Sequence, residues 1–381
     1  VAKILAARRT PIGKFLGSLA GIPAVELGAI AVRATLADAG IGPADVDLVV
    51  FGHARQAGNG PNPARQVQKR AGIPLDRVAY TVNQACASGL LAIDLARKAV
   101  DCGEARIAVA GGMENMSRTP YLLDRARGGY RLGHAELVDG MYRDGFLCPL
   151  CGELMGETAE NLAERYAISR EEQDRYAVES QQRCERARKT GRFAREIAPV
   201  PLPDGGVLER DEHPRDGVTL ESIAKLPPVF RANGTVHAGN SSGITDGAAA
   251  VVIAADDVPA RGMARIVASA SAGVDPRFMG LGPVPATAKL GRPVDSYDLI
   301  ELNEAFAAQV LACHREMRFD FARTNVNGGA IALGHPIGAT GARIVVTLLH
   351  EMERRGARSG LATLCVSGGL GMAMAFERGD K

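Results

Sequence analysis

The sequence predicts an α/β protein built from two similar layered halves with a segment of different character set between them, and three observations carry that expectation. Apolar runs alternate with helical patterns through the first third and again through the last third, the alternation that builds sheets covered by helices. Three short stretches also recur in one order. Pro43-Ala44-Asp45-Val46-Asp47-Leu48-Val49 resembles Pro293-Val294-Asp295-Ser296-Tyr297-Asp298-Leu299-Ile300 with one residue inserted, Ala87-Ser88-Gly89 resembles Ala339-Thr340-Gly341, and Val109-Ala110-Gly111-Gly112-Met113 resembles Val366-Ser367-Gly368-Gly369-Leu370. Ordered recurrence at comparable intervals marks a duplicated unit. Composition agrees: aromatic residues make up 4% of the chain, Trp is absent and Gly numbers 45, which suits close packing through small side chains.

In chain order, Lys3 to Ala7 reads as the first strand, Ala24 to Ala39 as a helix and Val46 to Gly52 as a second strand. A helical pattern follows Ala87 through Val100, and Ile107 to Ala110 returns to strand. From about Ser117 to Gly243 the character changes. A charged helical pattern, Thr158 to Thr190, contains Ser169-Arg170-Glu171-Glu172, a capping box in which each side chain satisfies the other's free backbone N–H. Its charges read as a solvated face. Proline-rich connections follow at Pro199 to Pro203 and Pro227-Pro228, and then the alternation resumes. The expected division is residues 1–116 as the first half, completed by about 244–258, residues 117–243 as an inserted subdomain with exposed helices, and residues 259–381 as the second half. An active site is expected where loops of both halves converge.

With 381 residues, 46% of them hydrophobic, the chain can bury a sizeable core. Lys and Arg total 45 against 43 Asp and Glu, without the basic excess of a nucleic-acid binder. No run approaches the roughly 18 uninterrupted apolar residues of a membrane span, and the N-terminus does not read as a signal peptide. Seven cysteines without framework spacing fit a reducing, cytoplasmic setting with free thiols.

Cys86 stands in Asn83-Gln84-Ala85-Cys86-Ala87-Ser88-Gly89, after one apolar run and before a helical pattern. At such a junction the helix dipole is expected to lower the thiol pKa and favour the nucleophilic thiolate, and small neighbours leave room for a substrate. The plain alternative is a buried small hydrophobe. His335, in Gly328-Gly329-Ala330-Ile331-Ala332-Leu333-Gly334-His335-Pro336-Ile337-Gly338, can act as the general base for a thiol, although a lone histidine is more often structural. Cys365 ends an apolar strand before Ser367-Gly368-Gly369 and falls opposite Ala108 in the internal alignment. The glycines there can present N–H groups to an oxyanion. Asn303, in Glu301-Leu302-Asn303-Glu304-Ala305-Phe306-Ala307, can orient a water or an oxyanion, or cap a helix. Cys148-Pro149-Leu150-Cys151 invites a metal or redox reading, but zinc takes about four ligands and no second pair stands at finger spacing, so no metal is expected. Cys102, Cys184 and Cys313 lie in helical patterns and read as packing residues.

These segments, joined by Ala7-Arg8-Arg9-Thr10-Pro11-Ile12-Gly13-Lys14, Gly111-Gly112-Met113-Glu114-Asn115-Met116-Ser117, Met155-Gly156-Glu157-Thr158-Ala159-Glu160-Asn161, Gly239-Asn240-Ser241-Ser242-Gly243 and Asp246-Gly247-Ala248-Ala249-Ala250, resemble the thiolases over essentially the whole chain. The resemblance implies a thiolase fold in αβαβα layers, with the inserted region covering coenzyme A, and no prosthetic group. It implies that Cys86 takes an acyl group from acyl-CoA as a thioester with His335 receiving its proton, and that Cys365 exchanges the α-proton of a second acetyl-CoA. Asn303 with a water, together with His335, would polarise one thioester oxygen, and the backbone N–H groups of Cys86 and Ser367 would hold the other. Arg215, Ser222 and Ser242 would contact the nucleotide and pantetheine of CoA, while Met155, Phe230, Ala238, Met279, Ala305 and Phe306 would line the acyl and pantetheine pocket. The expected reaction is the reversible condensation of two acetyl-CoA to acetoacetyl-CoA, by a homodimer or homotetramer. Leu154, where the short-chain branch commonly carries a polar residue, and a long stretch from Asp139 to Leu154 keep open a degradative 3-ketoacyl-CoA thiolase. A non-catalytic acyl-CoA carrier is the reading from another class.

Overall fold

A computed structural model describes residues 2–379. Its principal strands are β1 (Lys3–Arg9), β2 (Leu48–Gly52), β3 (Val78–Val82), β4 (Ile107–Asn115), β5 (Thr245–Ala254), β6 (Ala264–Gly273), β7 (Leu299–Leu302), β8 (Ser359–Val366) and β9 (Leu370–Glu377). The principal helices are α1 (Ala24–Ala39), α2 (Pro63–Arg70), α3 (Ser88–Asp101), α4 (Met155–Arg165), α5 (Arg170–Lys189), α6 (Pro283–Ala288), α7 (Ala307–Met317) and α8 (Ile337–Arg355). Across the sheet the order is β7-β8-β9-β6-β1-β5-β4-β2-β3. β6 meets β1 through two residue pairs only, Lys3↔Arg265 and Ile4↔Ala264, so the sheet divides there into two halves. No helix among the described residues is long and apolar enough to cross a membrane.

Because strand side chains alternate between faces, each half buries two layers. In β4, Ala108 and Ala110 face a central core that also takes Leu90, Ile93 and Ala96 of α3, Ile344, Val345 and Leu348 of α8, and Leu364 and Met374 of the other half. Val109 faces the opposite way, with Val252 of β5, into a core closed by Val25, Leu27 and Val32 of α1 and Val67 of α2. In the second half the outer layer is made by Ala286 of α6 and Val310 of α7 over Leu302, Leu361 and Ala373. The result is helix, sheet, helix, sheet, helix. The central layer is tight: a Cβ added at Gly89 would lie 2.7 Å from the Ala342 nitrogen, and one at Gly341 2.4 Å from the Leu90 nitrogen. Glycine is required where those two helices cross.

The duplication extends to hydrogen bonds. Asp47 accepts the N–H groups of Arg106 and Ile107 at 2.9 and 3.1 Å, and Asp298 accepts those of Arg358 and Ser359 at 2.8 and 2.9 Å. Leu48 pairs with Ala108 and Leu299 with Gly360, so Ala108 corresponds to Gly360 and Cys365 to Met113. The expected match of Cys365 with Ala108 is therefore corrected. The Gly-Gly pair lies inside β4 in the first half but in the turn after β8 in the second, and strand pairing, not the shared dipeptide, sets the equivalence.

In the second half β8 turns directly into β9 through Ser367, Gly368 and Gly369, with φ of +87° and +83° at the two glycines. The corresponding passage from β4 to β5 in the first half is residues 116–244. The single charged helix expected there is two, α4 and α5, broken where Ala167 takes φ +48°. The capping box forms as expected: Ser169 accepts from Glu172 N at 3.2 Å and donates its own N–H to Glu172 at 2.8 Å. α5 is not an exposed helix, however. It keeps Arg175 and Glu171 paired at 2.6 Å in solvent but buries Tyr176 and Ser180 on its other face, where each hydroxyl donates to buried Glu304 at 2.7 Å.

Candidate active site

Cys86 is presented by the turn between β3 and α3. Ala85 adopts φ +44°, held by Asn83 Oδ1 accepting its N–H at 2.9 Å, while Ser88 Oγ accepts from Gln84 N at 2.9 Å and donates to Ala85 O at 2.6 Å. His335 arrives from the other half, its N–H on Gly243 O at 2.9 Å, and places Nε2 3.3 Å from Cys86 Sγ. Its Nδ1 is 2.6 Å from Thr340 Oγ1, whose own proton is committed to Pro336 O at 3.0 Å. Thr340 therefore accepts from Nδ1–H, which leaves Nε2 bare toward the thiol.

Burial pushes the Cys86 thiol above its ordinary value, outweighing the Ser367 N–H and the Arg55 charge that pull the other way. Burial likewise holds the His335 imidazole down to about 3, with the Arg343 and Arg55 charges adding to the effect. The resting pair is neutral thiol and neutral imidazole. The thiolate expected from the helix dipole is corrected, because desolvation is the larger influence.

Cys365 ends β8 at 1% exposure. Burial lifts its thiol well above the ordinary value, and the next influence is Cys86 itself, which lines the same cleft. Asn303 follows β7 and donates its N–H to Thr363 O at 3.0 Å. It caps no helix, since Phe306 holds that place at α7. Both its amide atoms are buried without a partner among the described residues, a state that calls for a water or a substrate oxygen.

A cleft of about 580 Å³ opens on this group, lined by Cys86, His335, Cys365, Ser367, Met155, Phe230, Ala238, Ser242, Met279, Ala305, Phe306 and Arg215. Arg215 is exposed. Ser222 is not brought to the cleft: it belongs to a short helix, Leu220–Ala224, where its hydroxyl donates to Thr219 O at 2.7 Å. Asn303 lies behind the lining. Sequence reasoning missed two residues. Arg55 lines the cleft at 6% exposure, although Phe51-Gly52-His53-Ala54-Arg55 reads as an ordinary strand exit. Glu114 is fully buried and accepts from the N–H groups of Ala54, Arg55 and Gly338 at 3.2, 3.1 and 2.9 Å, so one carboxylate fastens the loop after β2 to the start of α8.

All seven cysteines are free. Cys148 lies close enough to Cys151 to help raise its thiol, and no cluster of three or more metal-ligating side chains occurs among the described residues. Cys184 and Cys313 are buried as expected. Cys102 is exposed at the C-cap of α3 and is not a packing residue.

Residues 2–257 match the family described as "Thiolase, N-terminal domain", and residues 260–378 that described as "Thiolase, C-terminal domain". The acetyl-CoA acetyltransferase of Pseudomonas aeruginosa is 53% identical over 387 residues, covering 98% of each chain. Among solved structures, the Bacillus anthracis acetyl-CoA acetyltransferase superposes with a TM-score of 0.96 at 42% identity, over 99% of this chain and 98% of that one. Human mitochondrial 3-ketoacyl-CoA thiolase in complex with CoA superposes with a TM-score of 0.96 at 40% identity, again over 99% and 98%.

Proposed function

The chain belongs to the thiolase family of acyltransferases, and from that premise we propose that it condenses two acetyl-CoA reversibly to acetoacetyl-CoA and CoA through an acyl-Cys86 intermediate. The observation that carries this reading is His335 Nε2 at 3.3 Å from Cys86 Sγ, with Cys365 opening on the same cleft from the other half.

The neutral pair dictates how the first step runs. As sulfur attacks the thioester carbon, its proton passes to bare Nε2, so base and nucleophile act together. The oxygen that gains charge is held by the N–H groups of Cys86 and Ser367, donors fixed by the fold before reaction. CoA leaves with the proton. In the second step the Cys365 thiol gives its proton to the bare Nε2 of His335 and, as thiolate, takes the α-proton of a second acetyl-CoA; the enolate oxygen is held by the Nε2–H so formed and by a water on the Asn303 amide, and the α-carbon attacks the acyl carbon. The carbon–carbon bond forms as the bond to Cys86 breaks, and the released sulfur takes the proton from His335 Nε2, which leaves both cysteines as thiols and the imidazole neutral. Arg215, which has no ion pair among the described residues, suits a phosphate of CoA, with Ser242, Met279 and Phe306 along the pantetheine arm. No prosthetic group enters any step. We place the enzyme in a reducing cytoplasm, as a homodimer or homotetramer; the sheet edge at β3, with Val78 and nearby Leu75 exposed, supports association.

Mass spectrometry after incubation with acetyl-CoA tests the reading. Cys86→Ser is expected to lose the acetyl adduct and, with it, turnover by about 10³-fold or more, whereas Cys365→Ala still acylates Cys86 but does not condense. If the native protein forms no adduct on Cys86, the carrier reading takes its place. Leu154, Met155, Met279 and Phe306 give the cleft an apolar wall that favours a second substrate range, longer 3-ketoacyl-CoA. Steady-state thiolysis of acetoacetyl-CoA beside a medium-chain 3-ketoacyl-CoA decides between them.

A further inference from the structure

Cys148 and Cys151 take no part in the reaction, yet the fold sets them at the tip of a hairpin that walls the cleft. Leu147 and Leu154 form its last bridge, Cys148 donates its N–H to Glu153 O at 2.9 Å, and Gly152 donates its own to Cys148 O at 2.8 Å. The two cysteines are thus the first and fourth residues of a closed turn. A turn of four residues keeps its end Cα atoms within about 7 Å, and a disulfide spans about 4.4–6.8 Å. Both thiols are free, Cys148 buried and Cys151 partly open to solvent, and they stand near enough for one to act on the other. No third His, Cys, Asp or Glu groups with them among the described residues, so the pair suits a bond between its own sulfurs and not a metal ion.

Both legs of the hairpin line the cleft, Tyr142, Gly145 and Phe146 on the first and Leu154 and Met155 on the second. The second leg is fastened: Leu154 donates its N–H to Glu157 at 2.6 Å, and Glu153 accepts from Asn161 of α4 at 2.8 Å. The first leg and the tip rest on the site itself. A Cβ at Gly145 would lie 1.7 Å from Arg55 Nη2, and one at Gly368 would lie 3.8 Å from Leu150 Cδ1. The leg therefore touches the arginine that lines the cleft with Cys86, and the tip touches the turn that carries Ser367. Drawing the two sulfurs together moves both against groups that position the reaction.

We propose that Cys148 and Cys151 are a reversible redox site, closed to a disulfide by a small-molecule disulfide oxidant, and that the enzyme is slowed when the bond is closed. Cys151, the accessible residue, attacks one sulfur of the oxidant as thiolate and a small thiol leaves; Cys148 then displaces the second small thiol from Cys151. Two protein thiols give up two protons and two electrons, and one small-molecule disulfide becomes two thiols. In a reducing compartment such a bond is transient and reports a change in thiol balance. Burial, ahead of the neighbouring Cys148 sulfur, holds the Cys151 thiol above its ordinary value, so the attack quickens as pH rises and thiolate forms. The loss of rate rests on the thiolase reading above; the bond itself does not.

To test this, the native protein is incubated with oxidised glutathione at about pH 8, blocked with N-ethylmaleimide and mapped by mass spectrometry. The peptide that holds Cys148 and Cys151 is expected to lose two hydrogens and to carry neither glutathione nor maleimide, whereas Cys102, exposed at the end of α3, keeps a glutathione. The initial rate of acetyl-CoA condensation is expected to fall by about 3-fold or more and to return with dithiothreitol. Cys151→Ser is expected to start at the native rate and to keep it through the same treatment. Glutathione that stays on Cys151 with no internal bond overturns the proposal, and this mapping stands even if the variant does not fold. So does a closed bond that leaves the rate unchanged, or a Cys151→Ser protein slowed as much as the native one, since the loss then belongs to Cys86 or Cys365. Failure of the thiolase reading looks different: the untreated protein does not condense acetyl-CoA and no acetyl adduct forms on Cys86.

Discussion

Between a Cys86 thiol that burial lifts above its ordinary range and a His335 imidazole held down to about 3, nothing in the attacking pair titrates across neutral pH. Both groups are in the form the first step needs, a thiol that still holds its proton and a ring nitrogen free to receive it. We therefore expect kcat/KM for acylation by acetyl-CoA to stay level from about pH 5 to about pH 8. An apparent pKa near 6.5, the ordinary histidine value, would show instead that the imidazole rests charged. At this scale the local residues mark Cys86, His335 and Cys365 as candidates, each with a plain structural alternative, and it is the resemblance of the whole series of segments to the thiolases that singles them out. Their protonation was not legible. The desolvation that sets it comes from side chains of both halves, whereas the helix dipole that suggested a thiolate is a local feature. Arg55 and Glu114 were missed for a related reason: an arginine after a strand looks solvated until a glycine loop from a distant segment closes over it.

Two helices from different halves meet at the centre of the fold, and the meeting depends on two absent side chains. Gly89 of α3 and Gly341 of α8 each face backbone of the opposite helix, at separations of 2.7 and 2.4 Å for an added Cβ. Backbone cannot move aside as a side-chain tip can, so the helices themselves must part. Gly341→Ala is expected to destabilise the fold by about 3 kcal/mol, at the upper end of overpacking costs, and to lower activity, since α8 follows directly from His335. Chemical denaturation with unchanged m-value measures it; a loss below about 0.5 kcal/mol would mean that the seam is looser than described. The elements themselves were largely legible: α1 was expected at Ala24 to Ala39 and forms there, and the serine–glutamate box opens α5. Two features were not. The break at Ala167 has no proline or glycine to announce it, and the charged helix carries a buried face because Tyr176 and Ser180 have a polar target, Glu304, in a segment far along the chain.

Over the whole molecule acidic and basic residues nearly cancel, 43 against 45, yet several lie inside it. Arg9 is met by Glu196 and Asp211, each at 2.6 Å, a well-compensated cluster. Arg343 and Glu301 are less well matched: 1% and 4% exposed in their side chains, they stand 3.5 Å apart. Desolvation is the largest influence on both, pushing Glu301 up to about 8 and holding Arg343 below its ordinary value, as expected when a buried pair attracts less than its burial costs. The sequence offers no sign of this, since the two residues belong to different elements that meet only when the layers stack. The consequence for stability has a definite sign. Below the unfolded value of 4.5 Glu301 is protonated in both states and its contribution is complete. As pH rises toward about 8 the unfolded chain releases the proton while the folded one keeps it, so stability falls through that window and the loss is complete above it. At about 1.4 kcal/mol per pH unit the fall is on the order of 5 kcal/mol. Glu301→Gln keeps the shape of the protonated acid and removes its titration. Urea unfolding at about pH 5 and pH 8 should therefore show the native protein losing several kcal/mol more than the variant between the two conditions. Equal losses in both proteins would mean that Glu301 stays ionised beside Arg343, and that the pair stabilises the interior as a salt bridge.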